Sequence, residues 1–569
     1  MEPVAPSGED ERSEVNTRRV RVQIGPLLAA AVGLLVFVLT NHLTLLNPTN
    51  VGWLFNGDFS PHFLGWLFFR NEALGWPLGR ISGYIYPLGT TLGFTDSIPW
   101  AGLIFRVVSN LLPTHFQYIG PWMGLSAALQ GAAGAWIARR FGVATVWQVI
   151  TGGFLVISPP MFARMSMAHD ALSAHWLILI ALGLNLVPSP DERDARWLLL
   201  TGLSLCIIAA GVHPVLAVMV LLLVLALCGR VALERRMPWT WPAGVACGAV
   251  ISVGLLLTSF GYFSGGISLD AGGFGLFSAN LNTFINPLSF RDQNFSRMLP
   301  ALSRWNNSQY EGYGYLGLGG LFALVAAVMT LARQRRFSRG WHMWAPVLSV
   351  SVLMFIFALS QWVTLGSSVV LDLSSLYRPF LPHAEMFRSS GRFLWPLYYL
   401  LLVGSIGVLL RLERARLGRV LLVIAFVLQT LDVNLEQRHF LVQGNDWIGP
   451  PSAAFTELAR NRKTLVVWPP MIIDGSGRGC DMGPRDLQIW AFRAYLLGLR
   501  FNSGYVARVN ADLTHRYCRW LDDELRAGHL ESDTLYLTTD SLHQQLEKQP
   551  GVRCVPDKAL WLCELERAP

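Results

Sequence analysis

The amino-acid sequence predicts a polytopic α-helical membrane protein: about eleven transmembrane helices followed by a small C-terminal α/β extracytoplasmic domain. Three observations predict it. Apolar runs close to the roughly 20 residues that cross a bilayer recur along most of the chain. Arginines collect in every second connection between those runs. Four of the seven cysteines lie together in the C-terminal tail.

Residues 1–23 are polar and acidic, then basic at Arg18, Arg19 and Arg21, ahead of an apolar run from Ile24 to Leu46. That run is too long for a signal-peptide core, so it reads as an uncleaved first span with a cytoplasmic N-terminus. Hydropathy places the spans at 24–46, 117–138, 146–164, 169–187, 197–212, 214–229, 239–260, 316–332, 342–363, 393–411 and 420–436. The connections assigned to the inside carry Arg139 and Arg140; Arg193 and Arg196; Arg230, Arg235 and Arg236; Arg333, Arg335, Arg336 and Arg339; and Arg411, Arg414, Arg416 and Arg419. The outer connections are longer and hold fewer arginines, as the positive-inside rule requires. An odd number of spans then leaves the chain from 437 onward outside.

With 52% hydrophobic residues, 21 Trp and 14% charged residues, a soluble globular class is excluded. Only Lys463, Lys548 and Lys558 are lysines, so the net charge of +8 is an arginine effect of topology and gives no case for a nucleic-acid partner. Three outer loops are long: 47–116, 261–315 and 364–392. Within the first, Ile98–Leu112 is apolar but short and holds Arg106, which fits a re-entrant or interfacial segment.

The tail 437–569 shows strand-like runs at Thr464–Trp468 and Thr534–Thr538 and helical stretches at Leu487–Leu497 and Leu513–Arg526. Cys480, Cys518, Cys554 and Cys563 fit an oxidising compartment. Cys554 and Cys563 flank a strand–turn–strand pattern and so pair, leaving Cys480 for Cys518, although three pairings are formally open. A zinc site is the weaker reading, because close C-x-x-C pairs are missing.

Chemistry is expected around Asp58, which follows the first span and precedes the aromatic stretch Phe59–Arg70. Ser60 suits an N-cap and Pro61 the first helical position, and Phe63, Leu64, Trp66, Leu67 and Phe68 suit a helix lying in the headgroup layer. Capping is the plain alternative for Asp58, and for Asp96 before Ile98–Leu112. His62 and Arg70 accompany Asp58. Arg164, His169 and His175 sit at span edges, where ionisable residues are functional candidates. His169 and His175 are about 120° apart on a helix and make no one-face metal pair. Arg388 and Arg392, at i and i+4, suit a lipid-linked phosphate, with anchoring or pairing to Glu385 and Asp372 as the plain alternative. No nucleotide-binding fingerprint appears.

This layout, with Asp58-Phe59-Ser60-Pro61-His62-Phe63-Leu64-Gly65-Trp66, Thr95-Asp96-Ser97-Ile98-Pro99, His169 through Trp176, and Arg388-Ser389-Ser390-Gly391-Arg392-Phe393, resembles an uncharacterised bacterial membrane family near the GT-C type of membrane glycosyltransferase. The resemblance implies a GT-C-like membrane domain over 24–436 in the bacterial inner membrane. It implies a sugar donor on a polyprenyl phosphate, a saccharide, lipid or protein acceptor on the extracytoplasmic face, and inverting transfer. Asp58 would be the general base, Arg388 and Arg392 the donor-phosphate ligands, and His62, Arg70, Asp96, His169 and His175 the support. Clan members often carry paired acidic residues in the first loop, whereas Asp58 stands between Gly57 and Phe59. No cofactor is therefore firmly implied, and a divalent metal (Mg or Mn) is left open. The competing classes are a transporter or flippase of lipid-linked saccharides and a noncatalytic envelope-assembly partner.

Overall fold

The computed structural model describes residues 24–264, 272–290, 293–334, 341–434, 444–484 and 487–566. The tail 1–23 with Arg18, Arg19 and Arg21, the arginines Arg335, Arg336 and Arg339, and the boundary at 437 lie outside the described residues.

The chain is mainly helical, and each of the eleven apolar runs forms a helix or, at Thr145–Val156 and Pro159–Ser166, a pair bent by 46°. Eleven full spans are not what their lengths give. Among the described residues four helices are long and apolar enough to cross a membrane: Ile24–Asn41, Pro214–Glu234, Thr240–Ser259 and Ser390–Leu410. The bent pair makes a fifth if it is one span. The shortfall has a simple cause in helix rise. Trp176–Leu186, for example, has 11 residues and reaches about 16 Å, half a hydrocarbon core.

Several of these helices turn bare apolar faces outward. Leu27, Leu35 and Leu39, then Val250, Ile251 and Leu255, and then Leu353 and Ile356 are exposed, a pattern that suits lipid and not water. Between helices, small residues allow close approach. A Cβ on Gly33 would stand 2.2 Å from the Ala127 carbonyl oxygen, and one on Gly131 would stand 2.2 Å from that of Ala29. Helices Ile24–Asn41 and Ile119–Arg139 therefore meet backbone to backbone.

The helix after the first span corrects the sequence reading in two ways. It runs Phe59–Arg70 with Asp58 at its N-cap, two residues earlier than Ser60 predicts, and Ser60 instead donates to the Leu54 carbonyl at 3.2 Å. Every one of its residues is buried, so it does not lie in a headgroup layer. Its aromatic faces are covered by protein: Phe63 meets Phe492 of the C-terminal domain at 5.9 Å, and Trp66 meets Phe105 and Tyr118. The segment Ile98–Leu112 forms a nine-residue helix, Pro99–Val107, with Ile104 and Val107 exposed, far too short to span.

The C-terminal domain is α/β as read from the sequence. Thr464–Trp468 is a central strand, paired in parallel with Arg500–Phe501 on one side and Thr534–Thr538 on the other. Leu560–Leu565 adds antiparallel to Thr534–Thr538, and Val552–Asp557 completes the five-stranded sheet. Helix Ala511–Arg526 turns Thr514, Tyr517, Cys518, Leu521 and Leu525 inward, a 3.6-residue period. Disulfides join Cys480 to Cys518 and Cys554 to Cys563, the latter pair directly opposite in the hairpin. Cys206, Cys228 and Cys247 are free.

This domain is docked on the first loop. Asn445 Oδ1 accepts from the backbone N–H of Val51 at 2.8 Å and of Gly52 at 2.9 Å, the Tyr495 hydroxyl donates to the Thr114 carbonyl at 2.9 Å, and Tyr84 bridges to Phe501. It also reaches the segment before the Ser390–Leu410 helix, where Arg508 donates to the Met386 carbonyl at 2.6 Å. Three chain regions far apart in sequence thus close around one space.

Candidate functional site

That space is a cavity of about 300 Å³, lined by Asp58, His62, Asp96, His169, Arg388 and Arg392 together with His213, Glu311, Tyr505 and Arg508. Six of the residues singled out from the sequence meet there. Arg70 and His175 do not. Arg70 is buried against the segment 109–114, donating to the carbonyls of Pro113 and Thr114 at 2.8 and 2.9 Å and to that of Ser109 at 2.8 Å. It locks the first loop. His175 is buried, with its Nδ1 2.7 Å from the Tyr399 hydroxyl and its ring 4.3 Å from that of Trp395. It belongs to the core.

Asp58 is held at the helix start by the turn at Gly57, whose φ of 57° favours glycine. Its side chain makes no capping hydrogen bond and so is free to face the cavity, where 40% of it remains exposed. Its Oδ2 lies 3.3 Å from His169 Nε2, and the Tyr505 hydroxyl bonds to the same carboxylate. Burial raises the Asp58 pKa, but the His169 hydrogen bond and the charges of His169 and His62 outweigh it, so the group lies below the ordinary aspartate range. Asp58 is ionised at neutral pH.

His169 is itself oriented from behind, with Nδ1 3.1 Å from Arg164 Nη1. Arg164 donates to Glu311 at 2.6 Å, and Arg392 meets Glu311 with two hydrogen bonds of 2.8 Å each. The carboxylate between two guanidiniums is held well below its usual range: burial opposes ionisation and Arg392 and Arg164 overcome it. The pairing partners differ from the sequence alternative, since Arg392 takes Glu311 and not Glu385 or Asp372. Arg392 is thereby half-spent as a positive charge.

Arg388 is better placed to meet an anion. It donates to the Ser476 hydroxyl at 2.7 Å and lies 4.8 Å above the Phe277 ring, with no carboxylate partner among the described residues. Arg508 of the C-terminal domain faces the same cavity.

In the same lining, His62 Nδ1 binds the buried carboxylate of Asp170, and its Nε2 is 3.9 Å from Asp96. Burial lowers the His62 pKa, but the Asp170 charge and hydrogen bond raise it further, and the net result is a rise to about 9. His62 is therefore a cation at neutral pH. Burial pushes Asp96 upward despite the His62 charge.

Sequence reading missed Glu311, Tyr505, Arg508, His213 and the partnership of Asp170. Asp170 lay in plain view between His169 and His175, and Glu311 is the lone acid in the outer stretch 293–316. Tyr505 and Arg508 had no local signal at all, because only the docking of the C-terminal domain brings them in. No group of three or more His, Cys, Asp and Glu suited to a metal occurs among the described residues.

A family model described as a domain of unknown function, DUF6311, matches residues 30–434, and the DUF6311 C-terminal domain matches residues 454–564. No curated protein matches the sequence.

Proposed function

The chain belongs to the DUF6311 family, and from the site we propose that it is a membrane glycosyltransferase of GT-C type that takes a sugar from a polyprenyl-phosphate donor. The observation that carries this reading is the meeting of an ionised, solvent-reached carboxylate, Asp58, with the arginines Arg388 and Arg508 in the lining of one cavity. The same cavity lies between apolar helices and the disulfide-bonded domain, which suits a lipid-borne donor and an extracytoplasmic acceptor. We read all eleven helical runs as crossing or entering the bilayer, with the N-terminus inside and the C-terminal domain outside.

In this mechanism the acceptor hydroxyl attacks the anomeric carbon and a C–O bond forms on the face opposite the lipid phosphate. The bond from the anomeric carbon to the phosphate oxygen breaks, and its electron pair leaves with the lipid phosphate. Asp58 takes the hydroxyl proton. A carboxylate with a lowered pKa is a weak base, adequate for a hydroxyl that becomes acidic as its oxygen bonds to carbon. His169 and Tyr505 orient it, and Arg388 with Arg508 meets the charge growing on the phosphate.

The test is transfer of radiolabelled sugar from synthetic polyprenyl-phosphate donors by the full chain in proteoliposomes. Product formation is expected. Transport of the intact lipid-linked sugar without transfer would select the flippase reading, and neither would leave an assembly partner.

Two further results are expected. Arg388→Ala should raise the KM for the donor by about 10-fold or more, since hydrogen bonds to charged groups contribute roughly 1.5–3 kcal/mol, and Arg388→Lys should recover part of it. An unchanged KM would remove Arg388 from donor binding. The pH profile of kcat/KM should fall as pH rises through about 9, where His62 loses its proton. His62→Gln should abolish that limb, and a limb that survives the substitution belongs to another group.

A further inference from the structure

The cavity lining also holds a carboxylate between two imidazoles. Asp96 Oδ2 is 3.9 Å from His62 Nε2, and Asp96 Oδ1 is 3.9 Å from His213 Nε2. Both histidines are nine-tenths buried or more, and all three residues face the cavity.

The tautomers can be read from the other ring nitrogens. His213 Nδ1 accepts from the backbone N–H of Val215 at 3.1 Å, which leaves its proton on Nε2. His62 Nδ1–H donates to Asp170, and the doubly protonated ring presents Nε2–H as well. That Nε2 is buried and makes no hydrogen bond within the described residues. Two N–H donors therefore flank one carboxylate, each too far for a direct bond and at the spacing that a single oxygen bridges.

We propose that Asp96, His62 and His213 form a saccharide subsite that grips a vicinal diol. Each hydroxyl accepts from one imidazole N–H and donates to one carboxylate oxygen, so two adjacent hydroxyls use both oxygens of Asp96. A lone hydroxyl uses only one. Phe94 and Tyr262 line the same cavity and give the C–H face of a sugar ring an apolar neighbour. This rests on the transferase reading for the presence of a sugar, and adds which part of the sugar is held and by what.

The substitution Asp96→Asn isolates the charge. Asp96 has a φ of 53°, a left-handed conformation that asparagine adopts readily, and Asp96→Gly provides a second variant that accepts the same backbone. Saturation-transfer NMR on the full chain in detergent, with a panel of methyl hexosides and pentosides and their 2-deoxy and 3-deoxy counterparts, reads the subsite without any transfer reaction. The wild type is expected to bind a diol-bearing glycoside about 10-fold more tightly than its deoxy counterpart, and both variants should lose that preference. Equal binding of the deoxy compounds, a preference that survives in both variants, or binding of no glycoside by the wild type would each overturn the subsite. A diol preference in a chain that transfers no sugar would retain the subsite and sink the transferase; transfer with no diol preference would do the reverse.

Discussion

Asp58→Asn is expected to lower sugar transfer by about 10²–10⁴-fold, the range a positioned general base contributes, while donor binding stays within a few-fold of wild type. Asparagine nearly matches aspartate in shape, and since the Asp58 side chain caps no backbone group, the helix Phe59–Arg70 loses nothing by the change. What is lost is the acceptor for the proton and the charge that His169 orients. Radiolabelled transfer from a polyprenyl-phosphate donor, with donor binding measured in parallel, checks both halves. Equal transfer by both proteins would remove Asp58 from the mechanism, and loss of donor binding along with transfer would make it a binding residue.

Glu311→Gln should be the most damaging single substitution for stability, at about 3–5 kcal/mol, because it leaves two guanidiniums buried against each other without their shared anion. Arg164 is fully buried and Arg392 sits beside it. Unfolding in detergent measures the loss. A double substitution with Arg392→Gln should cost less than the sum of the singles, since the second change removes one of the stranded charges. The pH dependence has a definite sign. The Glu311 pKa is depressed, so its contribution is complete above the unfolded value and is lost only as pH falls through the lower folded value. Glu311→Gln should flatten that acid limb, and a loss below 1 kcal/mol would mean that water already screens the pair. The triad also holds Arg164 against His169, so the variant should disturb the Asp58 partner even in protein that stays folded.

Local pattern determined much of this protein. Hydropathy located every one of the eleven helical runs, apolar β-branched runs located the strands Thr464–Trp468 and Thr534–Thr538, and the strand–turn–strand between Cys554 and Cys563 indicated that disulfide, with Cys480 left for Cys518, because helix period, strand period and turn chemistry act between neighbours in sequence. Asp58, His62, Asp96, His169, Arg388 and Arg392 could be picked out for a similar reason: an ionisable group beside an apolar span is costly wherever it falls. Which helices are long enough to cross was decided by where they end, at Leu186 or at the break around Ile157 and Ser158, and those ends depend on packing that hydropathy does not see.

Burial of Phe59–Arg70 was likewise decided in three dimensions, since an aromatic face is equally satisfied by lipid or by Phe492 and Tyr118. The separation of Arg70 and His175 from the cavity, the capture of Arg392 by Glu311, and the arrival of Tyr505 and Arg508 all come from contacts between distant segments. Charge and hydrogen-bonding capacity belong to a residue and can be read from its letter. The partner that spends them is set by the tertiary structure alone.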